Sequence, residues 1–316
     1  MVSALILTKN EEHDLRGCLS TLAWCDDIHV LDSWSTDGTM DIALKAGAHV
    51  IRREGGPARE LFAGDEAEHK NWAIRNIRFK YPWIFHIDAD ERMTPELVAA
   101  VQKAVSYPGE KVAFRVRRRD FLADRWLKHV QASPFYLRLF RPDKMKYERL
   151  INPASLPDGP VGQLAGYLDH YPFSKGMTHW LSKHNSYSSL EAQQIVQNRK
   201  TNQRFSLRQA LLAEDPNQRR FHQKELFYRM PARPFTKFLL LYVGKCGFLD
   251  GSGGFTYALL QSFYEYMIVL KTKELTRRLA GSAQANQVAA QPHIDADKSE
   301  VETLHANSGS SNSLLA

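Results

Sequence analysis

The first half of the chain alternates short apolar runs with segments of helical periodicity. Apolar runs at Ser3–Leu7, Ile28–Ser33 and Trp83–Asp88 predict strands, and Asp37–Ile51 predicts a short helix, a glycine turn and a further strand. A helix is predicted over Thr94–Val105, with a threonine cap and a proline in its first turn. Strands that alternate with helices favour βαβ units. The sequence therefore predicts an α/β fold with a mostly parallel sheet flanked by helices.

The second half has a different pattern. Lys111–Phe121 and Phe135–Pro142 alternate between apolar and polar residues, as antiparallel strands do. A polar-faced helix is predicted through His179–Arg199, and Pro231–Leu270 is the most apolar and aromatic part of the chain. After this comes a segment rich in Ser, Asn, Gln and Ala, a composition that is typical of disorder.

These changes of pattern divide the chain into three predicted regions. Residues 1–205 form the catalytic domain, residues 206–280 form a helical, apolar C-terminal extension, and residues 281–316 form a disordered tail. The extension has too few uninterrupted apolar residues to span a bilayer. Two alternatives stay open for it: contact with a membrane interface, or an amphipathic helical pair packed on the catalytic domain.

The charge of the chain favours an anionic partner. The formal net charge is +7, which suits a nucleotide or an acidic membrane surface, although a solvated surface also explains it. Nucleic acid is not expected as a partner, because the basic residues are scattered and no recognition motif is present. Three cysteines without a CxxC spacing fit a reducing compartment. We predict a cytoplasmic location, with peripheral contact to the inner face of the cytoplasmic membrane as an open alternative.

Two aspartates follow the fourth predicted strand. Asp88 and Asp90 in "WIFHIDADER" stand one residue apart, directly behind an alternating apolar run. Two carboxylates in this arrangement can hold one hard divalent cation, which in turn binds phosphate oxygens. The alternatives are a solvated acidic turn, or caps of the helix that follows.

The first two strands also end in polar residues. Asn10, Glu11 and Glu12 follow the first strand, and Asp32 ends the second, before a turn of Ser, Thr and Gly. Because the carboxyl ends of parallel strands meet at one edge of a sheet, these groups would form one crevice with the aspartate pair. Each alone is also a good turn or capping residue. Together they predict a nucleotide site with a metal.

Four stretches, in this order and spacing, resemble family 2 glycosyltransferases with the GT-A fold: "TKNEE", "VLDSWSTDGT", "HKNWA" and "IFHIDADER". The resemblance is closest to the bacterial lipopolysaccharide-core glucosyltransferase branch, and "GFLDGSGGF" near the C-terminus is similar to that branch too. Residues 1 to about 110 carry most of it.

The resemblance implies roles for individual residues. Asp32 would accept a hydrogen bond from the base, and the cation on the diphosphate, Mg²⁺ or Mn²⁺, would be held by Asp88 and Asp90. The remaining donor-binding residues would line the nucleoside pocket or lie near the ribose and diphosphate: Thr8, Asn10, Glu11, Lys70 and Asn71. Two positions depart from the family: Lys9 stands where an aromatic residue is common, and Trp34 replaces a usual glycine.

Two further assignments concern the chemistry. Relatives often carry a His-Glu pair after the second set of strands, and this chain has "RLINPAS" there. Glu148 is the nearest carboxylate and the predicted general base, with Asp158 as the second choice and an ordinary surface glutamate as the alternative. His170 stands where GT-A enzymes often have a histidine near the metal, so it is a predicted ligand.

The sequence therefore predicts a metal-dependent glycosyltransferase that inverts the anomeric centre. Its donor would be a nucleotide sugar, with a UDP-sugar favoured, and its acceptor a glycan or lipid-linked molecule of the cell envelope. Two other functions stay open. A nucleotidyltransferase uses similar carboxylates, although the loop "TKNEE" lacks the glycines and arginines typical of that class. A catalytically inactive, glycosyltransferase-like binding protein is the second.

Overall fold

The computed structural model describes residues 1–53, 66–131, 134–148, 153–200, 205–213 and 216–289. The chain divides into two compact units, Met1–Thr272 and Lys273–Ala316. The first unit holds the sheet and every residue predicted for the site. In the second unit the described residues belong to the end of the last helix, where Arg278 pairs with Glu274 at 2.6 Å.

The secondary structure follows the predicted alternation of strands and helices. The strands are β1 (Ser3–Thr8), β2 (Ile28–Asp32), β3 (His49–Arg52), β4 (Ile84–Asp88), β5 (Glu91–Met93), β6 (Ala113–Leu122), β7 (Arg125–Trp126), β8 (Phe135–Phe140), β9 (Met145–Glu148), β10 (Ala154–Pro157) and β11 (Val161–His170). The helices are α1 (Glu12–Ser20), α2 (Thr39–Lys45), α3 (Glu66–Asn76), α4 (Pro95–Ser106), α5 (Gly176–Lys200), α6 (Leu207–Leu212), α7 (Pro216–Arg229), α8 (Arg233–Leu239) and α9 (Gly251–Ala289).

The main sheet has a parallel half that aligns the ends of its strands. Its order is β3-β2-β1-β4-β8-β6-β11-β5, and β1, β2, β3 and β4 run parallel. In this register Thr8 lies opposite Asp32, Leu7 lies opposite Asp88, and Asp32 lies opposite Arg52. The polar residues predicted at the strand ends therefore meet at one edge.

The other half of the sheet brings residues of distant sequence to the same edge. β8 is antiparallel to β4 and β6, as its alternating pattern predicts, while β6 and β11 are parallel. In register, His170 at the end of β11 lies between Asp120 of β6 and Glu91 of β5. The predicted α/β class with a GT-A-type sheet is confirmed, although this second half is mixed in direction.

Strand β1 carries apolar residues on both of its sides, because both faces of the sheet are covered. On β1, Ala4 and Ile6 join one core cluster, which includes residues of α1, α2 and α4, while Leu5 joins a second cluster with residues of α3 and β9. A strand that is buried on both faces reads as a continuous apolar run, which is the pattern of "SALIL". The predicted cap of α4 is present, since the Thr94 hydroxyl accepts from the Leu97 amide at 3.3 Å.

The "GFLDGSGGF" segment fixes the start of α9 to the catalytic domain. The buried carboxylate of Asp250 accepts from the backbone amides of His129 (2.9 Å) and Val130 (2.8 Å), and it contacts His129 Nδ1 at 2.8 Å. Close packing requires the glycine at 254, because a Cβ there would lie 1.9 Å from the carbonyl oxygen of Gly247. The glycines thus serve packing, which agrees with the absence of a phosphate-loop pattern from the sequence.

The last helix continues into the segment assigned to the tail. α9 ends at Ala289, and residues 290–316 of the predicted disordered tail lie outside the described residues. Among the helices that the structure describes, none combines the length and the apolar content needed to cross a bilayer.

Gly254→Ala is expected to lower the free energy of unfolding by about 2 kcal/mol, as overpacking of a filled site does. Helix propensity alone would make the alanine variant more stable by about 1 kcal/mol. A decrease in the free energy of unfolding can therefore be attributed to the steric clash. Gly281→Ala, in the same helix, is the matched control, since nothing lies within 4 Å of its added Cβ. Chemical denaturation of both variants measures the difference, and equal stability of the two would contradict this packing.

Candidate active site

The two predicted metal-binding aspartates lie at the carboxyl end of β4. Asp88 is its last residue, 41% exposed at the side chain, and its Oδ2 accepts from Arg138 Nη2 at 2.6 Å. Asp90 follows in the turn before β5, and its Oδ2 lies 3.3 Å from His170 Nε2. The two carboxylates therefore stand at one strand end, and each has a cationic or imidazole partner.

A buried arginine that the sequence pattern did not identify balances this acidic group. Arg138 of β8 is 5% exposed and donates to Asp88, and also to Glu91 at 2.5 Å. Its Nη1 lies 2.8 Å from His86 Nδ1, and burial holds the pKa of His86 well below its usual range. His86 is therefore neutral, and its Nδ1 accepts from the arginine.

His170 lies between two carboxylates. Its Nδ1 bonds to Asp120 and its Nε2 faces Asp90. Burial and the charge of Arg118 lower its pKa, but the two carboxylates outweigh them and raise it to about 9. A histidine whose Nδ1 is held by a carboxylate is the common arrangement of a metal-ligating imidazole, with Nε2 left for the metal.

Asp88, Asp90 and His170 are the residues predicted to hold Mg²⁺ or Mn²⁺. Two carboxylates and one imidazole fit both the charge and the ligand types of these cations. In the described part of the chain, no three His, Cys, Asp or Glu side chains form a ready-made metal site. Binding of a cation by these three residues therefore stays a prediction.

Asp32 lies at the centre of a hydrogen-bond network at the end of β2. It is 1% exposed and accepts from Thr8 Oγ1 (3.1 Å), from the amide of Ser35 (3.0 Å) and from Arg52 Nε (3.1 Å). The carboxylate thereby holds β1, β3 and the turn after β2 together. Its predicted contact with the base of a nucleotide stays a prediction.

The two departures from the family pattern contact each other. Lys9 Nζ donates to the carbonyl oxygens of Ser33 and Trp34, at 2.8 Å each. Trp34 has a left-handed backbone with φ +61°, the region that favours glycine, and its ring lies 5.0 Å from the Arg52 guanidinium carbon. Lys9 therefore supports the same turn that Trp34 strains.

Asn10 and Glu11 lie in the loop that follows β1. The Asn10 side chain accepts from the Thr36 amide at 2.8 Å, and Glu11 pairs with Lys175 Nζ at 2.6 Å. Burial raises the pKa of Glu11 to about 7, although Lys175 opposes the shift. Lys175 also donates to the Asn10 carbonyl at 2.7 Å, so it links this loop to the segment before α5.

The two predicted residues of α3 have different environments. Lys70 pairs with Glu66 at 3.0 Å and lies 5.5 Å from the ring centre of Tyr147. Burial lowers its pKa, but the charges of Glu66 and Asp88 outweigh this and raise it, so Lys70 stays charged near the aspartates. The Asn71 amide instead bonds to the backbone of Tyr147, at 2.8 and 2.9 Å. Asn71 thus joins α3 to β9.

The predicted base is exposed on β9. Glu148 pairs with Lys146 at 3.0 Å and its side chain is 53% exposed. Residues alternate along a strand, and the neighbouring Tyr147 is buried towards Lys70, so Glu148 lies on the opposite face of β9. Asp158, the second choice, is exposed and pairs with Lys144 at 3.0 Å. Residues 149–152 lie outside the described part.

Helix α5 supplies two residues that the sequence pattern assigned only to a polar face. Burial raises the pKa of Glu11, and the positive charge of Lys183 opposes this shift. Burial also acts to raise the pKa of Asp90, but His170 and then Lys183 outweigh it and hold that pKa well below its usual range. Burial also raises the pKa of Tyr187, and the negative charges of Glu66 and Asp88 raise it further. Lys183 and Tyr187 are one helical turn apart and therefore lie on the same face of α5. Their interactions with Asp90 and Asp88 indicate that this face lies near the carboxylates.

Arg138→Gln is expected to lower the free energy of unfolding by about 3–5 kcal/mol, because it removes the cation that pairs with the fully buried carboxylate of Glu91. Arg115→Gln on the adjacent strand β6 is the control, since Arg115 is exposed, and its effect is expected to stay within about 0.5 kcal/mol. Urea denaturation at neutral pH checks both, and an Arg138 variant as stable as the control would refute this role.

Comparisons with known proteins identify the family. The sequence model of glycosyl transferase family 2 matches residues 3–160, half of the chain. The lipopolysaccharide core biosynthesis glycosyltransferase LpsC of Rhizobium meliloti (strain 1021) is 28% identical over 93% of this chain and 96% of its own length. The uncharacterized glycosyltransferase RT0209 of Rickettsia typhi is 22% identical over 87% of both.

Among solved structures, the mannosyltransferase PcManGT of Pyrobaculum calidifontis, in complex with GDP-Man and Mn²⁺, is 14% identical over 86% of each chain, with a TM-score of 0.49. The family match spans β1 to β10 and includes the strand ends that carry Asp32, Asp88 and Asp90. The family predicted from the sequence is confirmed: the chain belongs to glycosyl transferase family 2 and is a glycosyltransferase.

Proposed function

We propose that the chain transfers a sugar from a nucleotide-sugar donor in a metal-dependent reaction that inverts the anomeric centre. The observation that carries the proposal is the group of Asp88, Asp90 and His170 at the sheet edge, with His170 already oriented by Asp120. Two carboxylates and an imidazole that releases its Nε2 proton when a cation binds suit Mg²⁺ or Mn²⁺ on a diphosphate.

The diphosphate end of the donor would meet both the cation and the protein's own charges. Mg²⁺ or Mn²⁺, when bound, neutralises the negative charge that the leaving nucleoside diphosphate gains. Lys70 keeps its charge near Asp88, and Lys183 of α5 acts on Asp90. These lysines would attract the diphosphate and orient it towards the aspartates.

The nucleoside would occupy the other end of the crevice. Thr8 and Asp32 end β1 and β2, and Asn10 and Glu11 lie in the loop after β1, in a network that positions them without a ligand. We favour a UDP-sugar as donor. Asn71 is proposed to act through β9, because its amide bonds to the Tyr147 backbone.

The acceptor is proposed to be a glycan or a lipid-linked molecule of the bacterial cell envelope, as in lipopolysaccharide core assembly. This part rests on the similarity to LpsC along nearly the whole chain. A lipid-linked acceptor would place the enzyme at the cytoplasmic side of a membrane, as a peripheral protein.

Glu148 is proposed as the general base that takes the proton from the acceptor hydroxyl. The end of β9 borders the site, because Tyr147 packs near Lys70, but Glu148 lies on the opposite face of that strand. The assignment of Glu148 therefore rests on the family resemblance.

Titration calorimetry with UDP and with GDP, each with and without Mn²⁺, tests the donor site. Wild type is expected to bind one of them at least about tenfold more tightly with Mn²⁺. Asp90→Asn should remove that gain, because it deletes a ligand and leaves the Asp88–Arg138 pair in place. Asp41→Asn in the first turn of α2 is the control and should bind like wild type. Binding of neither nucleotide to wild type would contradict the site.

Glu148→Gln tests the base. Loss of the base should lower kcat by about 10²–10⁴-fold and leave donor binding unchanged. Asp158→Asn provides the matched variant, because it also removes an exposed carboxylate that pairs with a lysine. Donor hydrolysis and transfer to an envelope glycan extract are measured for both. Unchanged turnover in Glu148→Gln would exclude it, and a fall in Asp158→Asn alone would reassign the role.

A further inference from the structure

The C-terminal extension exposes an unusual amount of apolar surface. Large apolar side chains from α8 to the middle of α9 are between two-fifths and two-thirds exposed, with Phe235 at 63%. Together we call them the apolar face: Phe235, Leu239, Leu240, Val243, Phe248, Leu249, Phe255, Leu259, Phe263, Tyr266 and Leu270. Contiguous apolar surface of this kind marks an interaction site in a folded protein.

On α9 the exposed residues form a regular stripe. Phe255, Leu259, Phe263, Tyr266 and Leu270 recur every three or four positions, which places them on one side of the helix. The residues on the side of α9 that faces the protein are also apolar, but they are buried, among them Tyr257, Ala258 and Ile268. The helix therefore has an apolar side towards the domain and a second apolar side towards the outside.

The exposed residues of α8 and α9 belong to one surface. The Phe255 ring lies 5.8 Å from that of Phe238 and 5.6 Å from that of Tyr242, centre to centre. Tyr242 also contacts the ring of Phe248 at 6.3 Å. These contacts hold the start of α9 against α8 and the turn after it, so the apolar face is continuous across both.

The accessible charges on this surface have one sign. The charged residues from Pro234 to Leu270 are Lys237, Lys245, Asp250 and Glu265. Asp250 is buried against His129 and Val130, and Glu265 is buried in an ion pair with Arg233 at 2.6 Å. Lys245 is exposed and Lys237 is partly exposed. Within this segment the accessible charges are therefore positive.

We propose that the apolar face docks on the surface of an anionic lipid bilayer, with α8 and the first half of α9 lying in the interface. Aromatic and leucine side chains would enter the boundary between headgroups and acyl chains, and the lysines would meet lipid phosphates. A second copy of the chain is disfavoured as the occupant, because pairing two such faces would bring their lysines together without a counter-charge. Docking of this face rests on the proposed envelope acceptor, but it requires no catalysis.

Co-sedimentation of the full chain with vesicles tests this inference. Vesicles of phosphatidylethanolamine and phosphatidylglycerol are expected to bind the protein, and vesicles of phosphatidylcholine to bind it more weakly. The double variant Leu259→Glu/Phe263→Glu should lose at least about tenfold in apparent affinity, since it removes buried apolar area at the interface. Lys237→Gln and Lys245→Gln should each lose about fivefold.

The control is Leu44→Glu/Tyr107→Glu, which places the same charges at exposed apolar residues of α2 and of the turn after α4. It should bind vesicles like wild type. No binding of wild type to anionic vesicles would overturn the proposal. So would a concentration-dependent dimer in sedimentation velocity that Leu259→Glu/Phe263→Glu abolishes, since the face would then join two copies. Nucleotide binding in solution should be the same in all these variants, which separates a failure here from a failure of the proposed function.

Discussion

The buried guanidinium of Arg138 stabilises the group of carboxylates at the end of β4. Asp88 and Glu91 lie within a few residues, and Glu91 is fully buried, so their charges would repel without a counter-ion. Arg138 reaches both carboxylates from β8, and its pKa stays raised by their charges, which outweigh its burial. Because the folded chain must accommodate these carboxylates before a ligand binds, the rest of the site depends on their pairing with Arg138.

The same principle recurs on both sides of β4. On one side Asp120 holds His170, and Arg118 forms an ion pair with Asp120 at 3.0 Å. On the other side Asp32 is held by donors from three segments, including Arg52. In both places a buried acid is contacted by groups of neighbouring strands, which orients the side chains at the carboxyl edge of the sheet. A cation and a diphosphate would meet an edge whose geometry is already fixed.

Local sequence pattern is enough to predict some parts of this edge. Short apolar runs indicate the parallel strands, and the polar residues that end those runs include Asp32, Asp88 and Asp90. Arg138 was missed because its strand was interpreted only as alternating, and the pattern does not reveal which polar residue enters the site. That depends on the pairing of β8 with β4, which is a contact across the chain. Lys183 and Tyr187 were missed for the same reason, since a helix sequence does not specify the strand end that it covers.

We propose that one divalent cation is shared by Asp88, Asp90, His170 and a nucleoside diphosphate. Electron spin resonance of bound Mn²⁺, on protein labelled with ¹⁵N-histidine, tests it most directly. With UDP or GDP present, we expect one tightly bound Mn²⁺ per chain, with a nitrogen coupling that disappears in His170→Gln. Mn²⁺ that binds without any histidine nitrogen coupling, or equally well without nucleotide, would contradict the account.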